Sequence, residues 1–228
     1  MLLAFVSIGC NERSLVPLDP RLGDVLITPV PRDRVTPVDL LFVIDDSHSM
    51  GDAQERLVLE IPFLIETLTN PPVDDDGLPE WVAVERLRVA VVTTDLGTRG
   101  APVDVARVGV RCAANGYRGD DGALVRACGS GPVRVFDARD GGGLDSFTAS
   151  VECGLAVGLD GCALEQPLAA AVTALDHESF PPPAGAVLVV VVLSDEDDCS
   201  LQDPVGFFAG SETGVAINQR CVREPGLL

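Results

Sequence analysis

The stretch VDLLFVIDDSHSMG, residues 38–51, decides how this chain reads. Residues 38–44 form a nearly continuous apolar run, the pattern of a strand covered on both faces within a parallel sheet. The run stops at Asp45-Asp46-Ser47-His48-Ser49, and a helical stripe begins directly afterwards. Leu57, Ile61, Leu64, Ile65 and Leu68 fall on one side of a helix predicted over 52–70. Asp52 and Glu55 read as a capping pair at its start, Pro62 predicts a kink or a shifted hydrogen bond, and Pro71-Pro72 ends it. A strand thus delivers a carboxylate and two hydroxyls to the point where a helix departs.

Outward from that point the pattern repeats. LRVAVVTT at 87–94 is a second buried strand, ending at Asp95. AVLVVVVL at 186–193 is the most apolar strand and ends in Ser194-Asp195-Glu196-Asp197-Asp198. Phe147, Val151 and Leu155 predict a helix over 144–157. Leu164, Leu168, Val172 and Leu175 predict another, with Pro167 tolerated in its first turn. Between 98 and 143 glycine rises and periodicity fades, as in an irregular insertion carrying a short strand at 133–136. A short helical candidate lies at 204–209. Strands separated by helices predict an α/β fold with a doubly wound, mostly parallel sheet. Ligands of such sheets bind beyond the carboxyl ends of the strands, and both acidic motifs stand at such ends. Asp74-Asp75-Asp76 lacks the alternate spacing and terminal Glu of a calcium loop and reads as a solvated turn.

Asp45, Ser47 and Ser49 are two apart, so one carboxylate and two hydroxyls can be aimed inward together. Asp195, on a separate strand, can oppose them. A set made only of oxygen suits a hard cation, Mg²⁺ or Ca²⁺, with Mn²⁺ as a substitute. Few charges in the shell leave a position for a partner's carboxylate. The competing reading is local: Ser47 and Ser49 cap the helix and Asp45 bonds to backbone.

At these residues the chain resembles the von Willebrand factor type A domain. The resemblance rests on Asp45-x-Ser47-x-Ser49 followed by Met50 and Gly51, and on Asp195 after Leu193-Ser194, and it covers roughly residues 37–199. It implies a Rossmann-like fold and a metal-ion-dependent adhesion site. There the two serines ligate the ion, the aspartates bind it directly or through water, and an acidic side chain of a protein ligand completes the shell. Asp46 and His48 stand where the family has small residues, and His48 reads as a rim residue. The family's metal-binding Thr would fall near Cys162-Ala163, where there is none. Glu165 is close enough to substitute, or Cys162 is held in a disulfide instead. Asp197 adds charge beside Asp195, and Asp95 is a further candidate near the rim. The family continues past its second acidic strand with at least one more strand–helix unit. A sheet shortened on that side is therefore expected.

The remaining features place the domain in a setting. The 228 residues carry 35 acidic and 16 basic side chains, a net charge of −19, which repels nucleic acid and anionic lipid. Of seven cysteines, Cys10 follows a short apolar stretch and resembles the lipidated cysteine of a bacterial lipoprotein signal; a secretory remnant with a free thiol is the alternative. The domain plan is a signal remnant at 1–10, a proline-rich tether at 11–36 and the domain at 37–228, with its insertion at about 98–143. No apolar run is long enough to cross a bilayer, so membrane association would come only through a lipid on Cys10. Cys112, Cys128, Cys153, Cys162, Cys199 and Cys221 show no CxxC spacing and read as disulfides of an oxidising compartment. Pairing sequential neighbours would join 112 with 128, 153 with 162, and 199 with 221. The function expected is a binding module of the bacterial cell envelope, an outer-membrane lipoprotein or a secreted protein, and not an enzyme. A related domain without metal is the alternative. A metal-assisted hydrolase is a poorer match, since His48 and His177 offer no evident base and no GxSxG, HExxH or phosphate loop occurs.

Overall fold

The computed structural model describes residues 37–101, 103–129, 131–140, 143–176, 180–209 and 221. Cys10, the segments 1–10 and 11–36, and His177 lie outside the described residues.

Strand β1 (Val38–Ile44) lies inside a four-stranded sheet. It pairs in parallel with β2 (Arg86–Thr93) on one side and β4 (Val187–Leu193) on the other. Strand β3 (Val133–Asp137) adds antiparallel to β2, so the order is β3-β2-β1-β4 and the sheet is mostly parallel but mixed. Alternate side chains of a strand point to opposite faces, which explains the unbroken apolar run of β1. Leu40, Phe42 and Ile44 join Val89 and Val91 beneath helices α1 (Gly51–Thr69) and α4 (Leu144–Leu155), where Ile61, Ile65, Phe147, Val151 and Leu155 complete one core. Leu41 and Val43 join Ala90 and Val92 on the other face, against Ala170 and Ala174 of helix α5 (Pro167–Asp176) and Phe180. Each fully buried Leu, Ile, Val or Phe contributes about 1.5–3 kcal/mol, so β1 is stabilised from both sides.

Asp39 interrupts that run and is nevertheless buried. Its cross-strand partner Arg88 donates from Nε to Oδ1 at 2.8 Å and from Nη2 to Oδ2, while the guanidinium lies over the Phe180 ring at 4.6 Å. Burial of a charge requires such pairing.

Local expectations fail where longer-range structure takes over. A 3-10 turn, His48–Met50, starts the helical turn early, so Asp52 falls inside the first turn of α1 and the residue before it, Met50, makes no side-chain cap. The Asp52–Glu55 capping pair is therefore not used. Helix α1 continues through Pro62 to Thr69. Strand β4, the most apolar in sequence, is an edge of the sheet among the described strands, and four of its valines are 38–45% exposed. The insertion contains two short helices, α2 (Val105–Val108) and α3 (Val110–Ala114), as well as β3.

The disulfides are Cys112–Cys162, Cys128–Cys153 and Cys199–Cys221. Two of the three pairings expected from sequence neighbours, 112 with 128 and 153 with 162, are thus wrong. Helix α3 places Cys112 in a small buried cluster with Val108, Cys162, Leu164, Leu201 and Phe207, and Cys128 lies against α4, which carries Cys153. The bonds do not close the insertion on itself; they fasten it to α4 and to the loop before α5. Helix α6 (Pro204–Ala209) brings Phe207 into the same cluster.

Candidate metal centre

Register brings the functional loops together. Ile44 is level with Thr93 of β2 and Leu193 of β4. The ladder runs one step further: Asp45 N donates to Leu193 O at 2.9 Å and Thr94 N to Ile44 O at 3.0 Å. Three adjoining strand ends therefore present Asp45-Asp46, Thr94-Asp95 and Ser194-Asp195 side by side. This is where the chain reverses its direction of travel across the sheet, from β2 on one flank of β1 to β4 on the other, the usual place for a ligand.

The outer part of this rim joins four residues that the sequence selects. Asp45 is buried; its Oδ1 accepts from Ser47 N at 2.7 Å and its Oδ2 from Ser194 Oγ at 2.7 Å. In front of it, Ser47 Oγ and Ser49 Oγ are 3.1 Å apart, and Ser49 Oγ donates to Asp195 Oδ1 at 3.2 Å. Ser49 and Asp195 are exposed and Ser47 is half-buried. Neither serine side chain caps a helix: Ser47 precedes the 3-10 turn without a side-chain cap bond, and the hydroxyls face each other and Asp195. The serine-capping half of the local reading is thus not seen, while its other half is, since Asp45 Oδ1 accepts from the backbone of Ser47. His48 is exposed on the rim.

Glu165 stands behind this group, in the loop before α5. It is fully buried, its Oε2 accepts from Thr94 Oγ1, and its Oε1 has no hydrogen-bond partner among the described residues. Burial, reinforced by the charge of Asp45, pushes its carboxyl up to about 9. The position that lacks the expected Thr is thus filled nearby by a carboxyl group. Gln54 and Gln166, which no motif flags, hold the surrounding loops. Gln54 Nε2 donates to Asp45 O at 2.9 Å and Gly158 O at 2.8 Å, and Gln166 Nε2 donates to Gly97 O at 2.7 Å. Asp197 is exposed and outside the Ser47–Ser49–Asp195 chain, whereas its neighbour Asp198 accepts from Leu168 N at 3.0 Å at the start of α5.

Asp95 departs from its expected place near the rim. It is 2% exposed and turns inward, where Oδ1 accepts from Gly97 N at 2.8 Å and Oδ2 from Cys162 N at 3.1 Å. Gly119, at φ +58°, passes so close that a Cβ there would lie 2.1 Å from Asp95 Oδ1. Asp46 and Asp120 complete a second acidic group with Asp95. Burial, and then the charges of Asp95 and Asp120, push the Asp46 carboxyl up to about 8. Sequence reading passes over both partners: Asp46 looks like a departure from the motif, and Asp120 lies in the insertion. The available signal is the doublet Asp45-Asp46 just past a strand, where consecutive side chains diverge.

No protein-family model, curated protein or solved structure matches this chain. Hydroxyl and carboxylate oxygens gather at the strand ends, with Arg111 3.8 Å from Asp120 at their border, and such donors suit hard divalent cations.

Proposed function

We propose that the chain is a von Willebrand factor type A-like module, with a doubly wound sheet, that binds a divalent cation and through it an acidic side chain of a protein partner. Ser47 and Ser49 ligate the ion, Asp195 opposes them, and Asp45 and Glu165 supply charge from behind. Mg²⁺ or Ca²⁺ is the natural occupant and Mn²⁺ a substitute. The observation that carries this reading is the exposed hydroxyl–hydroxyl–carboxylate chain Ser47–Ser49–Asp195 across the ends of β1 and β4. Hydroxyls that serve no cap, beside a carboxylate from a distant strand, are arranged to be pulled onto one ion. The exposed side of that ion would accept a partner's carboxylate. Three disulfides support a location outside the reducing cytosol, consistent with an envelope protein anchored through Cys10.

Calorimetric titration of the oxidised, chelator-stripped chain with Mg²⁺, Ca²⁺ and Mn²⁺ tests this. The saturable heat of Mg²⁺ should weaken at least tenfold in Ser47→Ala/Ser49→Ala. If that double variant binds every ion as the parent does, the serines are not ligands and the adhesion-site reading fails.

A further inference from the structure

The strand ends carry a second set of oxygens, which the outer site leaves unused. Asp46, Asp95 and Asp120 come from β1's end, β2's end and the insertion, and one carboxylate oxygen from each lies within 4.8 Å of the other two. Asp46 is 1% exposed, and neither of its oxygens has a hydrogen-bond partner among the described residues. Gly161 closes over it: its N–H donates to the Asp46 carbonyl at 2.9 Å, and a Cβ there would lie 2.3 Å from Asp46 Oδ1. Asp95 and Asp120 are held from outside, Asp95 by Gly97 N and Cys162 N, and Asp120 Oδ2 by Thr93 Oγ1 at 2.9 Å. The cation paired with the group is Arg111, whose terminal nitrogen is 3.8 Å from Asp120 Oδ1 and thus beyond hydrogen-bonding range.

We propose that this group is a dedicated Ca²⁺ site, distinct from the outer one. A buried carboxylate with no donor is strongly disfavoured. Protonating Asp46 removes one charge but leaves three carboxyl groups crowded within 4.8 Å of one another. A divalent ion at the centre satisfies all three carboxylates at once. Oxygens grouped within 4.8 Å of one another can share one hard cation, and Ca²⁺ accepts such carboxylate-rich, irregular shells. Mg²⁺ binds closer and keeps several waters, for which the enclosed Asp46 oxygens leave no room. The ion would tie three segments distant in sequence, fixing the insertion to the sheet directly beside Asp45. It shares no ligand with Ser47, Ser49 or Asp195, so either site can fail without the other.

The test uses the full oxidised chain in the Ser47→Ala/Ser49→Ala background, stripped with chelator and titrated with CaCl₂ by calorimetry and thermal melting. One Ca²⁺ per chain should still bind and raise the melting temperature, and equimolar MgCl₂ should not displace it. Adding Asp120→Asn should lower that affinity at least tenfold. Adding Asp46→Asn should abolish the Ca²⁺-dependent rise while leaving the chain, in chelator, at least as stable as its parent, which shows that the loss is not misfolding. If the serine-substituted chain binds no Ca²⁺, or if Asp120→Asn and Asp46→Asn leave its binding unchanged, the inner site does not exist. Loss in the serine variant relative to the unsubstituted chain bears only on the outer site.

Discussion

Asp39 makes the sheet depend on one distant side chain. Its carboxylate is fully buried between β2 and β4, and Arg88 supplies both hydrogen bonds that compensate it. Removing one partner of a buried pair leaves an uncompensated charge, at a cost of about 3–5 kcal/mol. For a domain of this size that corresponds to a fall in melting temperature on the order of 10 °C. Arg88→Met should show it in a thermal melt, and Asp39→Asn/Arg88→Met should recover most of it; an unchanged melt for the single variant would mean that Asp39 finds another neutralising contact. Single residues also show where the sequence is readable. Asp45, Ser47, Ser49 and Asp195 are legible as neighbours because strand ends fix their direction, with Asp45 buried behind the two serines and Asp195. Asp46, Asp95 and Asp120 are not legible as a group, since one comes from a position that looks like a motif error and another from an aperiodic insertion. Asp39 is hidden for a related reason: nothing in an apolar run announces that its one acid has an arginine as cross-strand partner.

Among the elements, β4 behaves least like its sequence. Seven apolar residues predict a strand enclosed on both faces, but enclosure depends on what lies on the next position of the sheet, which periodicity does not encode. Among the described strands nothing pairs with the outer edge of β4, and Val187, Val189, Val190 and Val192 are all partly open to solvent. A long apolar edge recruits other strands unless charge or proline blocks it, and β4 has neither. The chain should therefore self-associate with rising concentration. Val190→Lys/Val192→Lys should shift the sedimentation-equilibrium mass towards that of the monomer, and an identical concentration dependence in the variant would show that the edge is covered. Helices α1 and α4 are legible to within a few residues, because each carries a stripe that the sheet largely buries, whereas α5 turns Ala170, Ala171 and Ala174 inward and leaves Leu168 and Val172 of its expected stripe exposed. The capping pair expected for α1 is not used, because the backbone turn at His48–Met50 displaces the side-chain cap.

The molecule as a whole concentrates negative charge at one end of its sheet, and its stability should record this. Asp46 is pushed up to about 8 and Glu165 to about 9, and Asp95 is also raised, in each case chiefly by burial. The folded chain therefore holds protons that the unfolded chain has released above about pH 4. Their contribution is complete below that point and is lost as pH rises towards 8–9, the values cited for Asp46 and Glu165. In chelator the melting temperature should fall steadily from about pH 5 to pH 9, and saturating Ca²⁺ should flatten the slope; a metal-free melt that rises over this interval would contradict the burial of these carboxyls. The disulfide pattern carries a different consequence. Cys128–Cys153 is nested within Cys112–Cys162, whereas a chain that enters an oxidising compartment amino-terminus first presents Cys112 and Cys128 before either of their partners. Oxidation in order of arrival would join those two, and the native bonds would then be reached only by exchange. Since Cys162 N is one of the donors that hold Asp95, correct placement of that carboxylate then depends on bond shuffling. A host that oxidises thiols but does not isomerise them would yield chains whose acidic strand ends were never assembled.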